Sequence, residues 1–389
     1  GEIFGVTVPS SVATDEERYA LGSVLGELGT GVFQVSGGAA GGYTEPAKIA
    51  QELSRRTGRP AIYNLLAQEL SKPDEWKEHL QMLEEAFKSG ARAYASCLSA
   101  TAGPIFDLRA GLGGLEDEDM ISPTTVFQGM STWDSVMAQP IQERIRSFRD
   151  PEIRKALSLE AVETEGTHSY QAERGNRTMS FNRRWDLVHV YMAHEERNRK
   201  YSGKSIEQLA QEQGKGIMDA FLDLALDDDM RTSFQVIDRN SNAESQRRIL
   251  GSPYTVIGTT DGGARPDKGD RTTYSTHLLA HWVREEQVMS LEDAVYRMTG
   301  KTALMHDLHD RGFIQAGKAA DITIFDPDTI DSKPREPMYE FPGGEMHVKQ
   351  GAVGIDYVIV NGEVLLEGGE HTGALPGQVL RGPLYQGSR

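Results

Sequence analysis

The chain has 389 residues, 38% of them hydrophobic, with a single cysteine and a formal net charge of -17. That length holds a sizeable core and exceeds what one compact domain usually contains, so two domains, or one large barrel with an appendage, are expected. The acidic balance argues against nucleic acid or an anionic membrane as the main partner and suits a neutral or cationic small molecule.

Cys97 alone rules out an internal disulfide, which fits a reducing, cytoplasmic setting. No apolar run reaches the length of a membrane span, and no signal peptide is visible at Gly1. A start without methionine leaves a tag scar, a processed end or a fragment open.

Along the first hundred residues, strand-like and helix-like segments alternate. EIFGVTV, GVFQVSG, RPAIYNLLA and ARAYASC read as strands. ATDEERYALGSVLGELG, TEPAKIAQELSRRTG and DEWKEHLQMLEEAFKSG read as amphipathic helices between them. Such units predict parallel strands joined by right-handed helical crossovers. The rhythm is lost from about Thr101 to Ser252, where DPEIRKALSLEAV, SIEQLAQEQGKGIMDAFLDLAL and NAESQRRIL predict a long helical excursion. The strand YTVIGTT follows, then helices at STHLLAHWVREEQ and SLEDAVYRMTGKTALMH. After Phe313, short β runs are split by Gly-Gly, Pro and the Asn361-Gly362 pair, which is hairpin punctuation. The division is thus a β/α portion over residues 1–315 with its excursion at about 101–252, and a β portion with a tail over 316–389.

YTVIGTT runs directly into Asp261, Gly262 and Gly263. In a β/α barrel the active site lies where strands end, so a carboxylate there can bind a metal or take a proton from water, while the glycines let a substrate approach the backbone. An ordinary Asp-Gly turn is the competing reading.

The downstream pieces YTVIGTTDGGAR, THLLAHWVREEQ, SLEDAVYRMT, DRGFIQAGKAADITIFDP, IVNG and the closing PGQVLR occur in an order that resembles the amidohydrolase superfamily, in its branch of D-aminoacylases and N-acyl-D-amino-acid deacylases. The resemblance implies an α/β fold: a (β/α)8 TIM-like barrel, of which strands four to eight are present as EIFGVTV, GVFQVSG, RPAIYNLLA, ARAYASC and YTVIGTT, with a small C-terminal β-sandwich. It implies hydrolysis of a linear amide such as an N-acyl amino acid, with zinc or another divalent metal. Asp261 is then both catalytic and a metal ligand. The His-x-His pair that such enzymes carry on strand one is absent, so most metal ligands are expected from an N-terminal part outside this sequence. Gln34, Ser36 and Asn64 stand where the family typically shows histidines, and Arg265 where a histidine often follows DGGA.

Five strands cannot close an eight-stranded barrel, and open sheet edges are a liability. A second polypeptide or an N-terminal segment completing the barrel is therefore expected, within an oligomer. The alternative is a non-catalytic chain whose task is to complete a two-chain barrel.

Other residues are weighed against plainer roles. His168 and Tyr170 lie in a polar, aromatic loop with Arg174, Arg177, Arg183 and Arg184, suited to a substrate carboxylate or to a subunit contact. His277 and His281 share a helical face, where packing explains them better than a metal. His306 and His309 have no carboxylate or thiolate at ligand spacing. Arg311 is expected to fix the turn at the domain junction, and Cys97 to be a buried small residue. The GGAAGG run at Gly37 to Gly42 lacks the Lys-Ser/Thr of a phosphate loop and reads as a loop beside the site.

Overall fold

The computed structural model describes residues 2–3, 6–7, 9–36, 44–70, 72–109, 127, 130–162, 170–171, 178–179, 183–258, 272–382 and 384. Helix α1 (Asp15–Leu28) starts where the Thr14 hydroxyl accepts a hydrogen bond from the Glu17 N–H at 3.2 Å. Asp15, Glu16 and Glu17 place negative charge on its first turn, and Gly29 ends it at φ 67°. Strand β1 (Phe33–Ser36), helix α2 (Thr44–Thr57), strand β2 (Ala61–Leu66), helix α3 (Glu75–Lys88) and strand β3 (Ala93–Cys97) continue the expected alternation.

The chain then leaves this layer. Strands β4 (Ile105–Asp107), β5 (Val188–Met192) and β6 (Ser233–Val236) form an antiparallel sheet with β6 in the centre, so the excursion read as helical contains a sheet as well as helices. Its core is aromatic: Phe106, Phe127, Trp133, Phe221 and Phe234 are all fully buried. Helix α4 (Ala243–Gly251), capped by the Asn242 side chain accepting from the Ser245 N–H at 2.8 Å, leads back to strand β7 (Thr255–Ile257).

Strands β7, β3, β2 and β1 lie side by side in that order, all parallel. One face carries Val35, Ala61, Tyr63, Ala93, Ala95 and Cys97 and packs on helix residues such as Ala47, Ala50 and Leu83. Four of the five expected barrel strands thus stand in one sheet. The fifth, EIFGVTV, does not: Glu2–Ile3 pairs with Val6–Thr7 in a short antiparallel hairpin. The glycine inside that run weakens a strand interior by leaving nothing to pack. Among the described residues, β1 and β7 are each paired on one side only.

Arginine and lysine fix the approach to β7. The Arg297 guanidinium donates to the carbonyls of Leu250 (3.1 Å), Gly251 (3.1 Å) and Ser252 (2.7 Å) and pairs with Asp293 at 2.8 Å. Lys301 Nζ donates to the carbonyls of Pro253 and Thr255, both at 2.8 Å, and burial pulls its ammonium down to about 8. Arg297→Met keeps much of the aliphatic stem but takes the donor from the Leu250 and Gly251 carbonyls, the Ser252 carbonyl keeping Thr255 Oγ1 at 2.9 Å, so it is expected to lower unfolding stability by about 3 kcal/mol in urea titration. A change below about 0.5 kcal/mol would show that the turn holds itself.

The C-terminal portion is β-rich, as expected. Strands β8 (Ile322–Phe325), β9 (Asp331–Met338), β10 (His347–Val353), β11 (Ile355–Val360), β12 (Glu363–Glu367) and β13 (Glu370–His371) form a four-stranded antiparallel sheet, β8-β11-β12-β13, and a β9–β10 hairpin. Asn361 (φ 50°) and Gly362 (φ 85°) both take positive φ between β11 and β12, the conformation of a tight hairpin turn. Arg311 pairs with Asp321 and, at 3.5 Å, with Asp310, which is the junction role its sequence context suggested. No helix among the described residues is long and apolar enough to cross a membrane.

Candidate functional site

The second face of the parallel sheet alternates with the packed one, as strand geometry requires. It carries Gln34 and Ser36 from β1, Ile62 and Asn64 from β2, Tyr94 and Ser96 from β3, and Val256 from β7. Register sorts these into two levels. Gln34 stands opposite Ile62, and Ile62 opposite Tyr94, in the lower level, while Val256 stands opposite Ser96; Ile62 and Val256 both pack with Met305. Ser36 stands opposite Asn64 at the C-terminal end, and the Ser96 hydroxyl donates to Asn64 Oδ1 at 2.7 Å. Ser36, Asn64 and Ser96 therefore make a polar row at the strand ends, where barrels of this kind keep their chemistry.

Gln34 is thus placed one level below Asn64, while Ser96, not singled out in the sequence, joins the row. The Ser96 bond fixes the orientation of the Asn64 amide by occupying its oxygen. Asp261, Gly262, Gly263, Arg265 and His168 lie outside the described residues, as do Arg174, Arg177 and the glycine run at 37–42. Arg183 and Arg184 are engaged at the base of their loop: Arg183 donates to the Glu160 carbonyl at 3.3 Å, and Arg184 pairs with Asp186 at 2.5 Å.

The ends of β2 and β3 are tied to the return from the second sheet. Asn240, at φ 57°, accepts from the Gln68 N–H at 3.1 Å and donates to the Ala100 carbonyl at 3.1 Å. Gln246, on α4, donates to the Leu98 carbonyl. Neither residue has a local motif to announce it, because both bond to segments more than a hundred positions away.

A catalytic zinc takes thiolate, imidazole or carboxylate ligands. The described strand ends offer two hydroxyls and an amide, which do not fit it. Among the described residues no group of three or more His, Cys, Asp or Glu side chains stands close enough to hold a metal. Cys97 is fully buried, and burial pushes its thiol up to about 12, so it is a packed residue with no nucleophilic character at neutral pH.

His277 and His281 stack at 5.3 Å between ring centroids, on a helix that passes from Tyr274–His277 into wider π-helical turns over Leu278–Glu285. His281 Nδ1 is 2.9 Å from Glu285. Burial first, then the neighbouring His281, pulls His277 down to about 4 from the ordinary 6.5. The folded chain then keeps His277 neutral where the unfolded chain protonates it, so this contribution is complete above pH 6.5 and is lost as pH falls towards 4. The loss approaches about 1.4 kcal/mol per unit at most, and less for a half-buried ring. Urea midpoints measured between pH 7 and 4 are expected to fall less steeply in His277→Gln; parallel curves for the two proteins would remove His277 as a cause.

The described fold is a mixed β/α architecture whose parallel strands end in the polar row of Ser36, Asn64 and Ser96. The sequence profile of the amidohydrolase family matches residues 3–366, and the chain belongs to that family. It is similar to a D-aminoacylase of Alcaligenes xylosoxydans xylosoxydans, 31% identical over 182 residues, covering 46% of this chain and 34% of the relative. An N-acyl-D-aspartate deacylase of the same organism is 36% identical over 137 residues, covering 34% of this chain and 25% of the relative. A solved D-aminoacylase from a study of its binuclear metal centre shares the fold at 20% identity, with a TM-score of 0.50 over 95% of this chain and 59% of that one. The matches thus span about a third of the curated relatives' length or less.

Proposed function

We propose that the chain forms the catalytic part of a metal-dependent amidohydrolase that cleaves the linear amide of an N-acyl amino acid. The family match over residues 3–366 carries this reading. The similarity to two deacylating enzymes supports the substrate class.

In the proposed reaction Asp261, in the segment that follows β7, takes a proton from the attacking water as its oxygen bonds to the amide carbon. The same carboxyl gives that proton to the nitrogen as the C–N bond breaks, leaving a carboxylate and an amine. Gly262 and Gly263 give the substrate room against the backbone. Arg265, His168, Gln34 and the Ser96-oriented Asn64 contact the substrate, Asn64 as a fixed amide at the end of β2.

A divalent metal, when bound, would polarise the amide; Asp261 together with residues of a preceding segment or a second polypeptide would hold it. The same added strands pair with the open edges of β1 and β7, which favours a chain working within a larger barrel. Elemental analysis of the native particle is expected to find one or two divalent metals per chain, and chelation to abolish amide hydrolysis until metal is restored. Full turnover by a metal-free particle would contradict the metal requirement. An intact-mass measurement showing an active particle built from this chain alone would remove the second polypeptide.

A further inference from the structure

The neighbouring ends of β1, β2 and β3 present Ser36, Asn64 and Ser96, two hydroxyls and a carboxamide without a charge among them. A carboxamide has an accepting end and a donating end, and its neighbours decide which of them a ligand meets. The Ser96 hydroxyl lies 2.7 Å from Asn64 Oδ1 and 3.4 Å from the Tyr63 carbonyl. One hydroxyl carries one proton, and the shorter contact takes it. With its oxygen committed inside the sheet, Asn64 acts towards a substrate as an N–H donor. A carboxamide oxygen already accepting such a bond is also a poor ligand for zinc.

The register shows what lies beside this pair. Ser96 stands opposite Val256 of β7, and the Gly258 N–H donates to the Cys97 carbonyl at 3.1 Å, so the chain that runs on to Asp261 leaves the sheet next to Ser96. Asn64 lies one strand further over, about 10 Å from β7 at the ordinary strand spacing. A small amide lying over β3 has Asn64 on one side and the start of the Asp261 segment on the other. Ser96 itself is largely buried, which suits a residue that acts through its neighbour.

Amide hydrolysis puts negative charge on the carbonyl oxygen as water adds to the carbon, and a donor fixed in advance near that oxygen speeds the step more than a mobile one. We infer that Ser96 is a positioning residue, which holds the Asn64 carboxamide so that its N–H donates to the acyl carbonyl oxygen of the substrate, and that this row of strand ends holds no metal. The inference rests on the amide-hydrolase reading and adds to it the substrate atom that Asn64 meets.

The test uses the native, metal-loaded particle and its Ser96→Ala, Ser96→Thr, Asn64→Ala and Asn64→Asp forms, assayed on N-acyl amino acids and analysed for metal. Asn64→Asp still accepts from Ser96 but has no N–H to give, so both Asn64 variants should lose roughly 100-fold or more in kcat, the usual cost of one such donor. Ser96→Ala should lose roughly tenfold in kcat with KM little changed, as the loss of one orienting hydrogen bond does. Ser96→Thr keeps the hydroxyl and should recover most of that loss. In an Asn64→Ala background, Ser96→Ala should cost nothing further, because the two act as a unit. Metal content should match the native particle in Ser96→Ala and Asn64→Ala.

A native kcat in Ser96→Ala, folded by circular dichroism, would overturn the inference and leave the hydrolase reading intact. So would full turnover by Asn64→Asp, or losses that add in the double variant. Metal lost from Asn64→Ala would overturn it too, by making Asn64 a ligand. If the native particle cleaves no N-acyl amino acid, the hydrolase reading fails and the inference falls with it.

Discussion

Asp261→Asn is expected to reduce hydrolysis of N-acyl amino acids by about 100-fold to 10,000-fold, the range over which a positioned acid or base contributes. The change is nearly isosteric, so size and backbone chemistry stay the same while the group loses its capacity to accept and return a proton. In the proposed reaction one carboxyl serves both proton transfers, and both fail together in the asparagine variant. The effect should appear in kcat, with thermal unfolding within a degree or two of the parent, because the exchange keeps the size and shape of the side chain. Unchanged turnover in Asp261→Asn would return this aspartate to an ordinary Asp-Gly turn.

The second large effect is on stability. Phe221→Ala is expected to destabilise the second sheet and its helices by about 3–5 kcal/mol, the usual cost of removing a fully buried phenylalanine. Phe221 lies 4.6 Å from Phe234, 5.4 Å from Trp185 and 5.7 Å from Phe127 between ring centroids, so its loss opens the middle of the aromatic core. That core is separate from the one beneath the parallel sheet. Unfolding followed by tryptophan fluorescence should therefore shift early, since Trp133 and Trp185 both report from the affected core. A single unshifted transition would show that the core repacks around the cavity.

How far the sequence revealed these features follows from the range of the interactions that make them. GVFQVSG, RPAIYNLLA, ARAYASC and YTVIGTT were legible as parallel strands because continuous apolar runs between amphipathic helices are a local signal. The Asn361-Gly362 hairpin was legible for the same reason, since the turn residues themselves set its conformation. β4, β5 and β6 were not read, because Gln235 of β6 pairs with Ile105 of β4 and with His189 of β5, partners distant in sequence, and each strand is only three to five residues long.

The candidate site divides in the same way. Asn64 was found through its strand end. Ser96 required the register of two strands before its bond to Asn64 became visible. Gln34 was named from the same strand end as Ser36, and only the pairing with Ile62 puts it a level lower.

The most direct measurement is amine release from a panel of N-acyl amino acids by the native, metal-loaded particle containing this chain. Equal release of amine and carboxylate is expected from at least one member, abolished in Asp261→Asn. No release from any member by a folded, metal-loaded particle would contradict it.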